Sequence, residues 1–366
     1  MIKKILALGG FSIALSFAQP AAAPAKIAPP ERPANYTPPK TAWGEPDLQG
    51  TWPINHLIPV PLERRGDGPW LLSDEDYNRL LGAGGRGGGS TRGAIPVADS
   101  TQMALRQTSL IMDPPNGKFP ELTPYGKELQ TLMRSSYRPQ QTVFDSVDDF
   151  AAWDRCITRG LPVSMETRNY NNGIRIMQSP GYVIVITEMA HEARVIPTTA
   201  KPKLDPAIKQ YFGESRGHWE GNTLVVETVN FNGLVGQTSA GVPGSPGPVQ
   251  PETTNMKITE RFTRVGPQEI EFKMTVDDPQ VMVSSYTLQY PMYLDNKYEM
   301  YEYACHEGNT AVRNYIETNR FERWSAGANI DEARAKSTTP QPAAAKPKPA
   351  GVKGAPPPAK PKPAAQ

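Results

Sequence analysis

Two short stretches concentrate the residues that could do chemistry. The first is YEYACHEGN, residues 301–309, which sets Cys305, His306 and Glu307 side by side in a chain with two cysteines and four histidines. The second is TEMAHEARVIP, residues 187–197, where Glu188, His191, Glu192 and Arg194 follow the apolar run Val183 to Ile186. Histidine titrates nearest working pH, so His191 and His306 are the candidate acid and base. Glu188 or Glu307 could orient an imidazole. Arg155, Arg159 and Arg194 could hold an anionic or enolate oxygen. Tyr170, Asn171 and Asn172, in NYNNG, add neutral hydrogen-bonding groups, although an Asn pair before glycine is also ordinary turn chemistry.

Each candidate has a structural alternative. Glu307 suits a helix N-terminus for electrostatic reasons alone. The H-E-x-x-H zinc pattern is absent around His191. In extended structure His191 and Glu192 point to opposite faces, so a bend after Met189 is needed to bring His191 to Glu188 or Arg194. No cofactor is expected. A divalent metal held by His191, His306 and a carboxylate, with one open position, stays compatible with the composition. His56 and His218 read as structural or exposed.

The cysteines are read through the leader. Lys3 and Lys4 precede an apolar stretch, Ile5 to Phe17, and Ser16-Phe17-Ala18 is a small-x-small cleavage signal. Residues 1–18 are therefore expected to be a secretory signal peptide, and the chain periplasmic or extracellular. In an oxidising compartment two cysteines favour one structural disulfide, Cys156–Cys305. Closing a loop of about 150 residues would add on the order of 5 kcal/mol. The bridge would also hold Arg155 and Arg159 near His306 and Glu307.

The elements that must position these residues are mostly strands. Hairpin signals recur after Cys156: Ser179-Pro180-Gly181 within 173–189, Gly221-Asn222 within 216–231, and Gly266-Pro267 within 256–276. Strands are expected at 283–294 and 298–305 as well. This pattern predicts a mainly antiparallel β fold, a lipocalin-like barrel or a sandwich, with a few peripheral helices. Ile258, Glu260 and Phe262 share one face of their strand, so a polar residue rides among apolar ones, as in a strand lining a cavity. Short helices are expected at 72–81 capped by Ser73, at 122–137 capped by Thr123, at 145–156, and at 309–324 capped by Asn309. The glycine run 82–93 lacks the Gly-Lys-Ser/Thr ending of a phosphate loop and reads as a surface loop.

Domain organisation follows. Residues 19–44 form a Pro/Ala-rich linker. Residues 45–330 form one β-rich domain, with an irregular or helical front part at 45–150, a β core at 156–305 and the helix 309–324. Residues 337–366 form a solvated Pro/Ala/Lys tail. That tail holds five lysines and no acid; without them and the two leader lysines, the formal charge of +2 becomes −5. A mildly acidic folded part argues against nucleic acid as partner. The tail reads first as a spacer, with contact to anionic cell-envelope polymers as the alternative. No stretch has the apolar length of an integral membrane helix.

CITRGLP, YNN, QSPGYVIV, EMAHEARVIP, SRGHWEGNTLVVET, ERFTRV and YEYACHEGN occur in that order. This series resembles a large family of secreted bacterial proteins, frequent in acidobacteria and some proteobacteria. The resemblance covers about residues 45–320 and implies a shared fold and a shared pocket, without an activity. Glu192 and Asn222 stand where the family pattern often has Asp, and residues 235–255 form a Gly/Pro-rich insertion.

Three functional readings are open from sequence. One is an exported enzyme of lyase, isomerase or hydrolase type, using metal-free His/Glu acid–base chemistry on a small organic substrate in a β-barrel cavity. Another is a lipocalin-like carrier of an apolar or aromatic ligand. The third is a structural cell-envelope protein, for which the tail is the only positive sign.

Overall fold

Alternation of buried and more exposed side chains, cleanest in Ile174–Ser179, Tyr182–Thr187, Lys257–Gly266 and Glu269–Asp277, builds the sheets. In the computed structural model, residues 26–82, 103–136, 141–168, 170–235, 237–238 and 249–327 are described. The leader, the loop 83–93 and the tail 337–366 lie outside them. The strands are β1 (Gly50–Thr51), β2 (Ile111–Asp113), β3 (Ile174–Ser179), β4 (Tyr182–Thr187), β5 (Ala193–Pro197), β6 (Glu214–Glu220), β7 (Thr223–Val229), β8 (Gln237–Thr238), β9 (Val249–Gln250), β10 (Lys257–Gly266), β11 (Glu269–Asp277) and β12 (Tyr286–Tyr293).

The fold is mainly antiparallel β. One sheet has the order β1-β3-β4-β5 and a larger one the order β2-β12-β11-β10-β7-β6. The three expected hairpins form β3–β4, β6–β7 and β10–β11. Inward-facing Ile174, Ile176, Val183, Val185 and Ile196 of the first sheet join Leu224, Val226, Phe262, Phe272 and Leu288 of the second in one buried core. The sheets approach at β5 and β6, where Ile196 lies against Gly217. Beyond β12, the Asp295 N–H donates to the Thr51 carbonyl at 2.9 Å, which ties the end of the large sheet to β1.

Three helices stand outside the sheets among the described residues: α1 (Asp74–Gly82), α2 (Pro124–Leu132) and α3 (Ala311–Ser325). Capping chemistry sets their starts. Ser73 Oγ accepts from the Asp76 N–H at 3.1 Å, and Thr123 Oγ1 from the Gly126 N–H at 2.9 Å, with Pro124 at the first helical position. Helix is reduced to one 3-10 turn, Val147–Asp149, in the 145–156 stretch. At α3 Thr310 occupies the N-cap position, while Asn309 Oδ1 still accepts from the Ala311 N–H at 3.2 Å.

Two expectations need correction. Residues 298–305 form no strand; they run as irregular chain into a turn at 305–308. The reason is that the side chain of Glu188, not a neighbouring strand, takes up the Tyr301 N–H, at 2.9 Å. Residues 26–44, expected as solvated linker, lie on the fold. Arg32 donates to Glu269 at 2.7 Å and Glu271 at 3.1 Å, Ile27 bridges to Met103, and Pro38 is buried.

Candidate functional site

The Cys156–Cys305 pair is bonded, with Cα atoms 5.6 Å apart. It fastens the chain before the β core to the chain that leaves it. Around it the backbone folds tightly. Cys156 has φ 56°, a left-handed conformation that turns the chain between Trp153 and Ile157. Asn309 Nδ2 donates to Cys156 Sγ at 3.2 Å and to the Asp154 carbonyl at 3.5 Å, locking the start of α3 onto this turn.

The bridge forms the base of a groove of about 430 Å³. Phe150, Trp153, Tyr303 and Tyr315 supply its aromatic walls. Their packing is ordered: Trp153 meets Tyr303 at 5.8 Å, Tyr303 stacks on Tyr170 at 6.3 Å, and Phe150 meets Tyr315 edge-on at 6.0 Å. Tyr170 and Tyr303 also approach through their hydroxyls, 3.4 Å apart. Arg159 lies 3.8 Å from the Trp153 ring centre, a cation–π contact that steadies the indole from the side of the buried Arg159.

Asp154, Glu302 and Glu307 add carboxylates to the groove, and no basic side chain lines it among the described residues. Asp154 is committed to structure: it accepts from the Ser136 N–H at 2.9 Å, the Ser136 hydroxyl at 2.6 Å and the Ala151 N–H at 2.9 Å. Glu302 and Glu307 are exposed and carry no ion pair within the described residues. The arrangement offers π-faces and two uncommitted negative charges, a combination that attracts an organic cation.

The expected site residues divide into three groups. Cys156, Cys305, Glu307 and, behind the aromatic wall, Tyr170 and Arg159 gather at this groove. His306 stands between two lining residues and is exposed. Arg155 is half-buried beside the bridge, with Nε directed at the Ala151 carbonyl at 3.5 Å.

A second group is structural. Glu188 is buried and fully engaged: Oε1 accepts from Asn171 Nδ2 at 3.0 Å and the Tyr301 N–H at 2.9 Å, and Oε2 from the Gly173 N–H at 2.9 Å and the Tyr298 hydroxyl at 2.7 Å. With both oxygens occupied, Glu188 has no capacity to orient an imidazole. Asn172 is likewise buried, bonded to Asn55 at 2.9 Å and accepting from the Arg168 N–H at 2.6 Å. Gly173 is required at this knot, because a Cβ there would stand 2.8 Å from Glu188 Oε2.

The third group lies between the sheets. Arg194 and Glu260 form a buried bidentate pair, with Nη2 to Oε1 at 2.8 Å. Glu260 is the polar residue on the Ile258/Phe262 face, and all three are buried. Glu166 and Arg168 pair at 3.4 Å nearby, where burial raises the glutamate and lowers the arginine. They border a cavity of about 20 Å³, room for one water. Glu192 accepts from the hydroxyls of Thr158 and Ser164, and burial raises its pKa.

His191 is not among the residues that line the groove. It sits exposed on a bend, with φ 41° after Ala190 at φ 61°, and its ring makes no hydrogen bond among the described residues. No group of three His, Cys, Asp or Glu side chains among the described residues is arranged to hold a metal, so the metal form of the His191/His306 reading lacks a ligand set. Of the other histidines, His56 is buried with Nε2 2.9 Å from the Pro291 carbonyl, and His218 is exposed beside Glu220. Sequence reasoning missed Phe150, Trp153, Glu302, Tyr303 and Tyr315. The available signal was the density of aromatic residues flanking both cysteines.

Fold and groove thus define a two-sheet antiparallel β protein with an aromatic, acidic groove built on a disulfide. Comparison with family models, curated proteins and solved structures gives no match for the chain. No helix among the described residues is long and apolar enough to cross a membrane.

Proposed function

We propose that this is an exported binding protein that holds a small organic cation in the groove at Cys156–Cys305. The observation that carries the reading is the lining itself: four aromatic side chains and the carboxylates of Glu302 and Glu307, without a basic residue among the described residues. The interior between the sheets supports it indirectly, since side chains and charged pairs fill the faces that a lipocalin-like carrier leaves for its ligand. We read the two sheets as a split barrel, in view of the β5–β6 approach and the Asp295–Thr51 tie.

Choline and its neutral isostere 3,3-dimethylbutanol test the charge requirement. Choline is expected to quench indole fluorescence and to bind about tenfold more tightly than the alcohol, within the range of a desolvated cation–π contact. Trp153→Ala should remove the difference. Equal affinity for both compounds, or none for either, would refute the reading.

A second reading is acid–base catalysis at the same groove. His306 and Glu307, adjacent at its rim, favour it. In that case His306→Ala abolishes turnover of a bound cation and leaves its affinity in place.

A further inference from the structure

The groove has a chemically matched occupant in the chain itself. Beyond Gly327 the sequence continues to Gln366, and the pentapeptide KPKPA occurs twice, at 346–350 and 360–364. Residues 337–366 carry Lys346, Lys348, Lys353, Lys360 and Lys362 and no acid. Proline-rich segments bind aromatic-lined grooves through ring stacking, and basic residues beside the prolines meet acids at the groove edge. Phe150, Trp153, Tyr303 and Tyr315 supply the rings here, and Glu302 and Glu307 the acids.

Reach is satisfied. Ala311, Val312 and Tyr315, at the start of α3, line the groove. The rest of that helix leads away by about 20 Å. The residues between Gly327 and Lys346 span up to about 60 Å when extended, so a KPKPA segment can return to the groove of its own chain. Tethering places the segment at an effective concentration near the millimolar range, so a weak contact is populated.

We propose that the KPKPA segments of the C-terminal tail dock in the aromatic–acidic groove of the same chain and compete there with its cationic ligand. The competition rests on the ligand-binding reading above; the docking does not. Lysine stands in for the cationic head, and proline packs on the rings. The tail thus raises the ligand concentration needed for occupancy and leaves the groove when ligand is abundant.

Carbodiimide cross-linking of the full-length exported protein, read by peptide mass spectrometry, tests this. Amide links from Lys346, Lys348, Lys360 or Lys362 to Glu302 or Glu307 are expected at least about fivefold above links to Glu75 or Glu121, as an effective-concentration advantage requires. Excess choline should suppress them, and Lys→Gln at the four tail positions should tighten choline binding. Tail links spread evenly over surface carboxylates overturn the inference. So do links found only between isotopically labelled and unlabelled chains, which make a second copy the donor. Choline binding with evenly spread links keeps the ligand reading and removes this one. Groove-specific links without choline binding do the reverse.

Discussion

Arg194 of β5 and Glu260 of β10 meet between the two sheets, with both guanidinium Nη atoms donating to the two carboxylate oxygens. Their side chains are 5% and 0% exposed. The pair fixes which face of β5 looks inward, since a one-residue slip would turn Arg194 to solvent and its neighbours inward. Removing one partner strands the other charge. Arg194→Met or Glu260→Gln alone should cost about 3–5 kcal/mol, whereas Arg194→Met with Glu260→Leu should cost far less than the sum. Urea titration of the four proteins completes the cycle. Single variants within about 1 kcal/mol of the parent would deny the pair its structural role.

The disulfide joins residues 149 apart in sequence. Chain-entropy reasoning gives its loss, in Cys156→Ser with Cys305→Ser, a cost on the order of 5 kcal/mol. The same variant should lose groove binding while still folded at low temperature, because both cysteines line the groove. Unchanged choline affinity in a folded double serine variant would separate the bridge from the site.

Glu188 gathers two side-chain and two backbone donors from two segments, 171–173 and 298–301. Glu188→Ala leaves buried donors unmet and should destabilise by about 3 kcal/mol or more. Gly173→Ala should act through the same knot, by crowding Glu188 Oε2. Amide hydrogen exchange locates the effect: protection at Gly173 and Tyr301 should fall first. Loss confined to other segments would contradict the assignment.

Glu252 and His56 impose opposite pH slopes on stability. Burial raises Glu252 from 4.5 to about 8 and lowers His56 from 6.5 to about 4. The folded chain holds the Glu252 proton more tightly than the unfolded chain, so that contribution is complete below pH 4.5 and is lost as pH rises toward 8. His56 holds its proton less tightly when folded, so its contribution is complete above pH 6.5 and is lost as pH falls toward 4. Between them the slopes offset; above pH 6.5 only the Glu252 slope persists of the two. Stability should fall by up to about 1.4 kcal/mol per pH unit there, and Glu252→Gln should remove that decline. Parallel pH profiles for the two proteins from pH 6 to 8 would rule out a buried Glu252 proton.

Much of the fold was legible because hairpin turns and period-two alternation are local. Ser179-Pro180-Gly181, Gly221-Asn222 and Gly266-Pro267 each turn where expected, and Glu260 faces inward between Ile258 and Phe262. Residues 298–305 misled because Tyr298, Tyr301 and Tyr303 favour strands by type, yet the partner of Tyr298 and Tyr301 is a carboxylate reached across 110 residues or more. The site was half legible. Cysteine arithmetic paired Cys156 with Cys305, but no local rule reveals that Trp153 and Tyr303, from segments far apart, pack together at 5.8 Å beside that bridge. Acidic residues of like type also separate only in three dimensions: Glu188 is saturated by donors, whereas Glu302 and Glu307 are open.

The groove inherits a dependence on place from its base. Its walls come from the 150–156 and 302–315 segments, far apart along the chain, and a bond between two sulfurs cross-links them directly. In a reducing cytosol that tie is unmade. On the binding reading proposed above, a newly synthesised chain would then complete its groove only after oxidation.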